Sequence, residues 1–226
     1  IGISFYKDGV TRDGDLLKFA DMALYEAKKV NGVYRFYDEK DSVSYINELK
    51  LGRDLKNAVK NDRIEVYFHR LVNTKDEIIG VQALARWFHP EFGEIVPDRF
   101  IHIAEKTDQI FELGICILKK SVRYLKEIHK SGYDNLFVMV NCTVKEFYHP
   151  GYTDVVKETL KDAGLEPSFL KLSLEDKFAF QATPRALEII RELNGIGVQF
   201  AINGFDSDYP VFALLKQVPS NTIIKL

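Results

Sequence analysis

The feature that most constrains this chain is the alternation that begins at Ile64. Short apolar, β-branched segments at Val66–Leu71, Ile78–Ala85, Phe137–Asn141, Leu170–Leu174, Val198–Ile202 and Thr222–Leu226 read as strands. Amphipathic stretches stand between them, at about Pro97–Lys106, Gly114–Lys130, Thr153–Ala163, Pro184–Leu193 and Pro210–Lys216. Thr183 followed by Pro184 is a helix start, a capping hydroxyl with proline at the first helical position. This alternation predicts βα units and an α/β fold with a parallel sheet or barrel. In a barrel of this kind the chemistry is sited at the carboxyl ends of the strands.

The first sixty residues follow a different pattern. Ile1-Gly2-Ile3-Ser4 opens as an apolar strand, and Asp13-Gly14-Asp15 leads into a helix from Leu16 to about Val30. Leu16, Phe19, Ala20, Ala23, Leu24 and Ala27 recur at helical steps and make one apolar stripe. Asn31-Gly32 ends that helix, because glycine suits the left-handed position beyond a helix end. A short strand, Val33–Tyr37, precedes a polar link, Asp38-Glu39-Lys40-Asp41, and a second helix from about Ser42 to Lys60. The boundary falls near the start of that helix. Residues 1–40 make one unit, 41–61 a connecting helix and 62–226 the larger unit. The chain opens in mid-strand without a Met and stops on a strand without a turn. It is therefore expected to be part of something longer.

Composition narrows the partners. Thirty-one basic and 33 acidic residues leave a net charge of −2, which gives no general reason to bind nucleic acid or anionic membrane. Affinity for an anion would have to come from a local cluster. No apolar run has the length needed to span a bilayer, and no signal peptide is present. Cys116 and Cys142 lie in apolar stretches without metal-ligand spacing, and read as reduced core cysteines of a cytoplasmic domain. A longer parent is open to membrane attachment.

Two segments resemble bacterial cyclic-di-GMP signalling domains. Phe19-Ala20-Asp21-Met22-Ala23-Leu24-Tyr25-Glu26-Ala27-Lys28-Lys29, preceded by Ile1-Gly2-Ile3-Ser4, resembles the end of a GGDEF diguanylate cyclase domain. It contains none of that family's active-site loop. From about Leu49 to Leu226 the chain is similar to the EAL phosphodiesterase family. The carriers are Gly80-Val81-Gln82-Ala83-Leu84-Ala85-Arg86-Trp87-Phe88-His89-Pro90, then Pro97, Phe100-Ile101, Ala104-Glu105-Lys106-Thr107, Glu112-Leu113-Gly114 and Val140-Asn141-Cys142-Thr143. The resemblance implies a modified TIM-type (β/α) barrel, here incomplete at its C-terminus by two strand–helix units. A small α+β remnant of a GGDEF domain precedes it.

The resemblance also implies a chemistry. Members of the family hydrolyse cyclic-di-GMP with two magnesium or manganese ions that clamp the phosphate and activate water. Hard oxygen ligands must offset a combined charge of about +4. Matched residue by residue, the Glu of Glu-Ala-Leu is Gln82 here, and the ligand Asn is kept as Asn141. The first Glu of Glu-x-Thr-Glu is Ser173, and the Asp-Asp pair is Asn203-Gly204. Four acidic positions have thus become neutral, and two dications close together are not expected to be held. The general-base Glu belongs to a later strand than this chain contains. Glu175, Asp176, Asp206 and Asp208 could make a shifted site, against their plainer reading as solvated loop carboxylates.

Arg86 matches the family's phosphate-facing Arg, and a guanidinium fork suits phosphate oxygens. Lys225 matches the Lys of Lys-Ile-Asp, and Leu84, Pro90 and Asn141 complete the candidate ligand-binding set. Loss of the acids makes the pocket less hostile to a dianion without metal. Against binding, the family's Tyr-Gln-Pro is Phe68-His69-Arg70, where the bulkier side chains either block a base or supply a cation. The segment Gly204-Phe205-Asp206-Ser207-Asp208-Tyr209 lacks two glycines of a loop tied in the family to dimer contacts and substrate. Three readings stay open. They are a regulatory or interaction domain with neither catalysis nor appreciable nucleotide affinity and no cofactor, a non-hydrolysing cyclic-di-GMP receptor that uses Arg86, and a weak phosphodiesterase. Partners expected under these readings are cyclic-di-GMP, a second copy of the chain or other signalling domains.

Overall fold

The protein's structure, a computed structural model, describes residues 1–6, 15–29, 34–174, 183–203 and 223–225. It divides into two compact units, Ile1–Asn57 and Ala58–Leu226. In the first, β1 (Gly2–Ile3) pairs in parallel with β2 (Arg35–Phe36), and α1 (Asp15–Lys29) lies between them in the chain. Of the apolar stripe of α1, Ala23 and Ala27 are buried while Leu16 is exposed, and Met22, outside the stripe, is buried as well. Gly2 is required by contact, since a Cβ there would stand 2.0 Å from the Ala20 carbonyl oxygen. The α2 helix (Glu39–Lys60) begins earlier than the sequence predicts. Asp38 turns the expected polar link into a helix entry, its Oδ1 accepting from the Lys40 N–H at 2.9 Å.

The second unit is built on a seven-stranded sheet. Its strands are β3 (Ile64–Val72), β4 (Ile78–His89), β5 (Gly93–Ile95), β6 (Phe137–Cys142), β7 (Leu170–Leu174), β8 (Gln199–Asn203) and β9 (Ile223–Lys225). The order is β3-β4-β6-β7-β8-β9, with β5 paired to β4. Strands β4 and β6 to β9 are parallel, as the βα alternation predicts. The first strand departs from that expectation, because β3 runs antiparallel to β4. Only five residues join them, too few for a parallel crossover. Asn73 shapes this turn, its Oδ1 accepting from the N–H groups of Lys75 and Glu77 at 2.9 and 3.1 Å.

The helices are α3 (Pro97–Lys106), α4 (Ile110–Lys130), α5 (Val144–Phe147), α6 (Tyr152–Ala163) and α7 (Pro184–Gly195). Thr183 caps α7 through the Ala186 N–H, with Pro184 in the first turn. The predicted helix Pro210–Lys216 lies outside the described residues. One face of the sheet packs on these helices. Val81, Ala83, Val138, Val140, Leu172 and Phe200 are buried there with Leu125 of α4, Phe147 of α5, Val156 of α6 and Ile190 of α7. Each fully buried large side chain contributes about 1.5–3 kcal/mol over its exposed state. Gly80 lets β4 approach β6, since a Cβ would stand 2.7 Å from the Phe137 carbonyl oxygen. Of the two cysteines, Cys142 is buried in this layer and Cys116 is half-buried, and neither is in a disulfide. Burial raises the Cys116 thiol.

Candidate functional site

Residues alternate across a strand, so the face away from the helices carries the other set. On it lie Gln82, Leu84 and Arg86 of β4, Met139 and Asn141 of β6, Lys171 and Ser173 of β7, and Gln199 and Ala201 of β8. Register sets Asn141 beside Ser173, and Ser173 beside Ala201. Gln82 reaches across, its Nε2 donating to Asn141 Oδ1 at 3.1 Å. Ser173 is fully buried, and its Oγ has no partner among the described residues. Asn203 pairs with Lys225 at the ends of β8 and β9. Gly204, Glu175, Asp176, Asp206 and Asp208 lie outside the described residues. Among the described residues no group of three or more His, Cys, Asp and Glu is placed to hold a metal ion.

Arg86 is not free. Its Nε lies 3.5 Å from Glu94 Oε1, its guanidinium stands 5.6 Å from the centre of the Tyr67 ring, and Nη1 donates to the Ala85 carbonyl. Glu94 belongs to β5, which the sequence reading leaves as a loop. The turn into β5 is built on His89, buried, whose Nδ1 accepts from the Glu91 and Phe92 N–H groups. Pro90 is exposed within that turn. His69 and Arg70 are exposed on β3, the position the sequence reading gave them.

Leu84 and Asn141 meet in a cavity of about 350 Å³ beside the middle of β4 and the end of β6. Pro97, Asp98 and Ile101 of α3 line it together with Thr143 and Glu146. Glu146 is legible after the fact, because Thr143-x-x-Glu146 is a capping-box spacing. Its Oε2 accepts from the Thr143 N–H and hydroxyl at 3.0 and 2.8 Å, while Thr143 caps the Glu146 N–H. Gly114 makes room for this carboxylate, since a Cβ there would stand 1.6 Å from Glu146 Oε1. Nearby Tyr152 is buried, and burial first, then Cys142 and Glu146, pushes its phenol well above the ordinary value.

An α/β sheet with polar residues gathered where its parallel strands end is a ligand-site architecture. The chain belongs to the EAL domain family, which it matches over residues 52–226. It is 32% identical to the bifunctional diguanylate cyclase/cyclic di-GMP phosphodiesterase MucR of Pseudomonas aeruginosa, over 99% of this chain and 33% of that protein. With the cyclic di-GMP phosphodiesterase NbdA of the same organism it shares 28% identity, over 99% of this chain and 29% of that one. A solved structure, the PaMucR phosphodiesterase in complex with c-di-GMP, matches with a TM-score of 0.71 and 30% identity. That match covers 75% of this chain and 69% of the other. The FimX EAL domain of Xanthomonas citri, solved with c-diGMP, shares the fold at 19% identity and a TM-score of 0.70, over 78% of this chain and 68% of that one. The chain spans about a third of the length of these two curated relatives. No described helix is long and apolar enough to cross a membrane.

Proposed function

We propose that this EAL domain acts in cyclic-di-GMP signalling as a regulatory or interaction module that does not hydrolyse the dinucleotide. The observation that carries this reading is the neutral row at the strand ends. Gln82 spends its amide on the one retained ligand oxygen, that of Asn141, and Ser173 brings a buried hydroxyl where the family has a carboxylate. Amide and hydroxyl oxygens do not offset the mutual repulsion of two dications, which needs carboxylates between them. The described residues therefore do not fit a paired magnesium or manganese site.

A second reading, a receptor for cyclic-di-GMP, is favoured by the cavity beside Leu84 and Asn141. Its volume of about 350 Å³ suits one nucleoside-sized group, and the Asp98 carboxylate can accept from the edge N–H groups of a guanine. In this reading Arg86 must exchange Glu94 for phosphate. Calorimetry with cyclic-di-GMP, with and without manganese, separates the readings. Absence of heat in both supports the interaction module. Heat without metal that Arg86→Ala removes supports the receptor. Product on prolonged incubation with manganese would sink both and leave a weak phosphodiesterase.

We further infer that residues 1–40 end a GGDEF domain, that 41–61 connect, and that 62–226 belong to a TIM-type barrel. What supports the first is the β1-α1-β2 unit and an alignment to a diguanylate cyclase-containing relative that covers 99% of the chain, past the family match at residue 52. A second copy of the chain, or a neighbouring signalling domain, is the partner this reading calls for. Sedimentation of the chain alone and with its parent's other domains tests it.

A further inference from the structure

We propose that a groove between α4 and α6, on the far side of these helices from the polar strand ends, is a second ligand site for phosphate oxyanions. The α4 helix carries Lys119, Arg123, Lys126 and Lys130 at steps of four, three and four residues, which places them along one face. With Thr159 and Asp162 of α6 they line a cavity of about 400 Å³. The residues of α4 that face the sheet are others, among them Leu118, Val122 and Leu125. The groove is therefore independent of Gln82, Arg86 and Asn141.

Two of the four cations already have structural work. Lys126 Nζ donates to the Gly164 carbonyl at 2.5 Å, at the end of α6, and Lys130 pairs with Glu127 at 2.7 Å. Basic residues near a helix C-terminus also complement its dipole, but that effect fades within the last turn. Lys119 and Arg123 lie about three and two turns before the end of α4, so it does not account for them. Both have no hydrogen bond or ion pair among the described residues. Against the four cations the groove sets only Glu127 and Asp162, so its balance stays positive.

The floor gives the independent sign of a ligand. Thr159 is 5% exposed, and its Oγ1 has no partner among the described residues. Buried hydroxyls are ordinarily satisfied, and Thr159 is among the residues that line the cavity. A guanidinium fork, an ammonium and a hydroxyl donor around one concave space match the acceptors of a phosphate group. The volume falls in the range of small-molecule sites, which favours a small phosphorylated molecule over a long polyanion laid on a flat face.

Titration of the full chain with pyrophosphate at low salt, followed by calorimetry and by amide NMR shifts, tests the site. Saturable binding is expected, with shifts gathered on the second half of α4 and on α6. The double variant Lys119→Ala/Arg123→Ala, which alters exposed residues only, should weaken binding at least tenfold. Thr159→Val should weaken it a few-fold while raising the melting temperature, which a purely structural hydroxyl would not do. Arg86→Ala should leave binding unchanged. Binding that is absent, or that survives the double variant, or that Arg86→Ala removes, would overturn the site. Co-sedimentation with phosphatidylglycerol vesicles, against phosphatidylcholine, names the source of the phosphate. Capture lost in the double variant points to a headgroup, and no capture alongside pyrophosphate binding points to a soluble ligand. Vesicle capture without pyrophosphate binding would mark a charged face and also overturn the site.

Discussion

The two faces of the β4–β6–β7 sheet have met opposite fates. Toward the helices, Val81, Ala83, Val138, Val140 and Leu172 form an unbroken apolar layer closed by Phe147 and Phe200. Toward the other side, the positions that resemble the family's acid ligands carry Gln82 and Ser173, with Asn141 retained. The difference teaches that the fold and the chemistry of such a domain are written on alternate residues of the same strands. An acid can be lost from one face without touching a contact on the other. Without metal, neutral groups at such positions avoid the repulsion that carboxylates a few ångströms apart would suffer.

The largest test strikes the apolar face. Phe147→Ala removes a fully buried ring that packs against Tyr152 and Phe200, and should cost about 3–5 kcal/mol of unfolding free energy, read by urea unfolding. Next comes an attempt to rewrite the polar face. Gln82→Glu/Ser173→Glu places a charge at a fully buried position, and should destabilise the metal-free protein by about 2–3 kcal/mol. Manganese should recover part of that in the double variant and none in the unaltered chain. Equal manganese stabilisation of both proteins, read by thermal melts, would break the comparison. Smaller again is Ser173→Ala, which deletes an unsatisfied buried hydroxyl and should stabilise by up to about 1 kcal/mol. A loss of stability there would mean that the hydroxyl has work to do.

How much of this was legible follows the same division. The parallel strands and long helices were readable because their apolar residues recur at fixed periods. Leu170–Leu174 and Pro97–Lys106 match their predicted bounds. The antiparallel β3 and the short β5 were not, since pairing direction depends on the length of a turn rather than on the period of a strand. The α5 helix is a single turn, too short for periodicity, although its capping box could have been found. At the site, the residue types at Gln82, Asn141 and Ser173 were plain. Their geometry was not, and neither was the hold of Glu94 on Arg86, because the carboxylate arrives from the strand that went unread. Asp98 and Glu146 join Leu84 in one cavity only through the packing of α3 and α5, which no spacing in the chain announces.

The finest test concerns Lys171, a cation on the same face as the neutralised row. It neighbours Met139 and Gln199 in register, and its Nζ stands 3.5 Å from the centre of the Phe137 ring. Burial lowers its pKa from the ordinary lysine value. The folded chain therefore binds this proton less readily than the unfolded chain does. Between the folded value and the unfolded one, near ~10.4, the unfolded state carries more proton, and stability rises with pH across that window. Below the window the whole penalty is present. Lys171→Met removes both this penalty and the cation–ring contact, the latter worth about 0.5–1 kcal/mol at exposed sites. The two effects oppose at neutral pH, so a single midpoint would not resolve them. Both require the charged ammonium, so their net effect titrates with Lys171, in the direction its lowered pKa sets. The stability of the methionine variant relative to the unaltered chain should fall steadily as the pH rises toward about 10.4, read by urea unfolding at several pH values. A constant difference would mean that Lys171 keeps its proton as easily folded as unfolded, and that this face of the sheet is wetter than its neutral row implies.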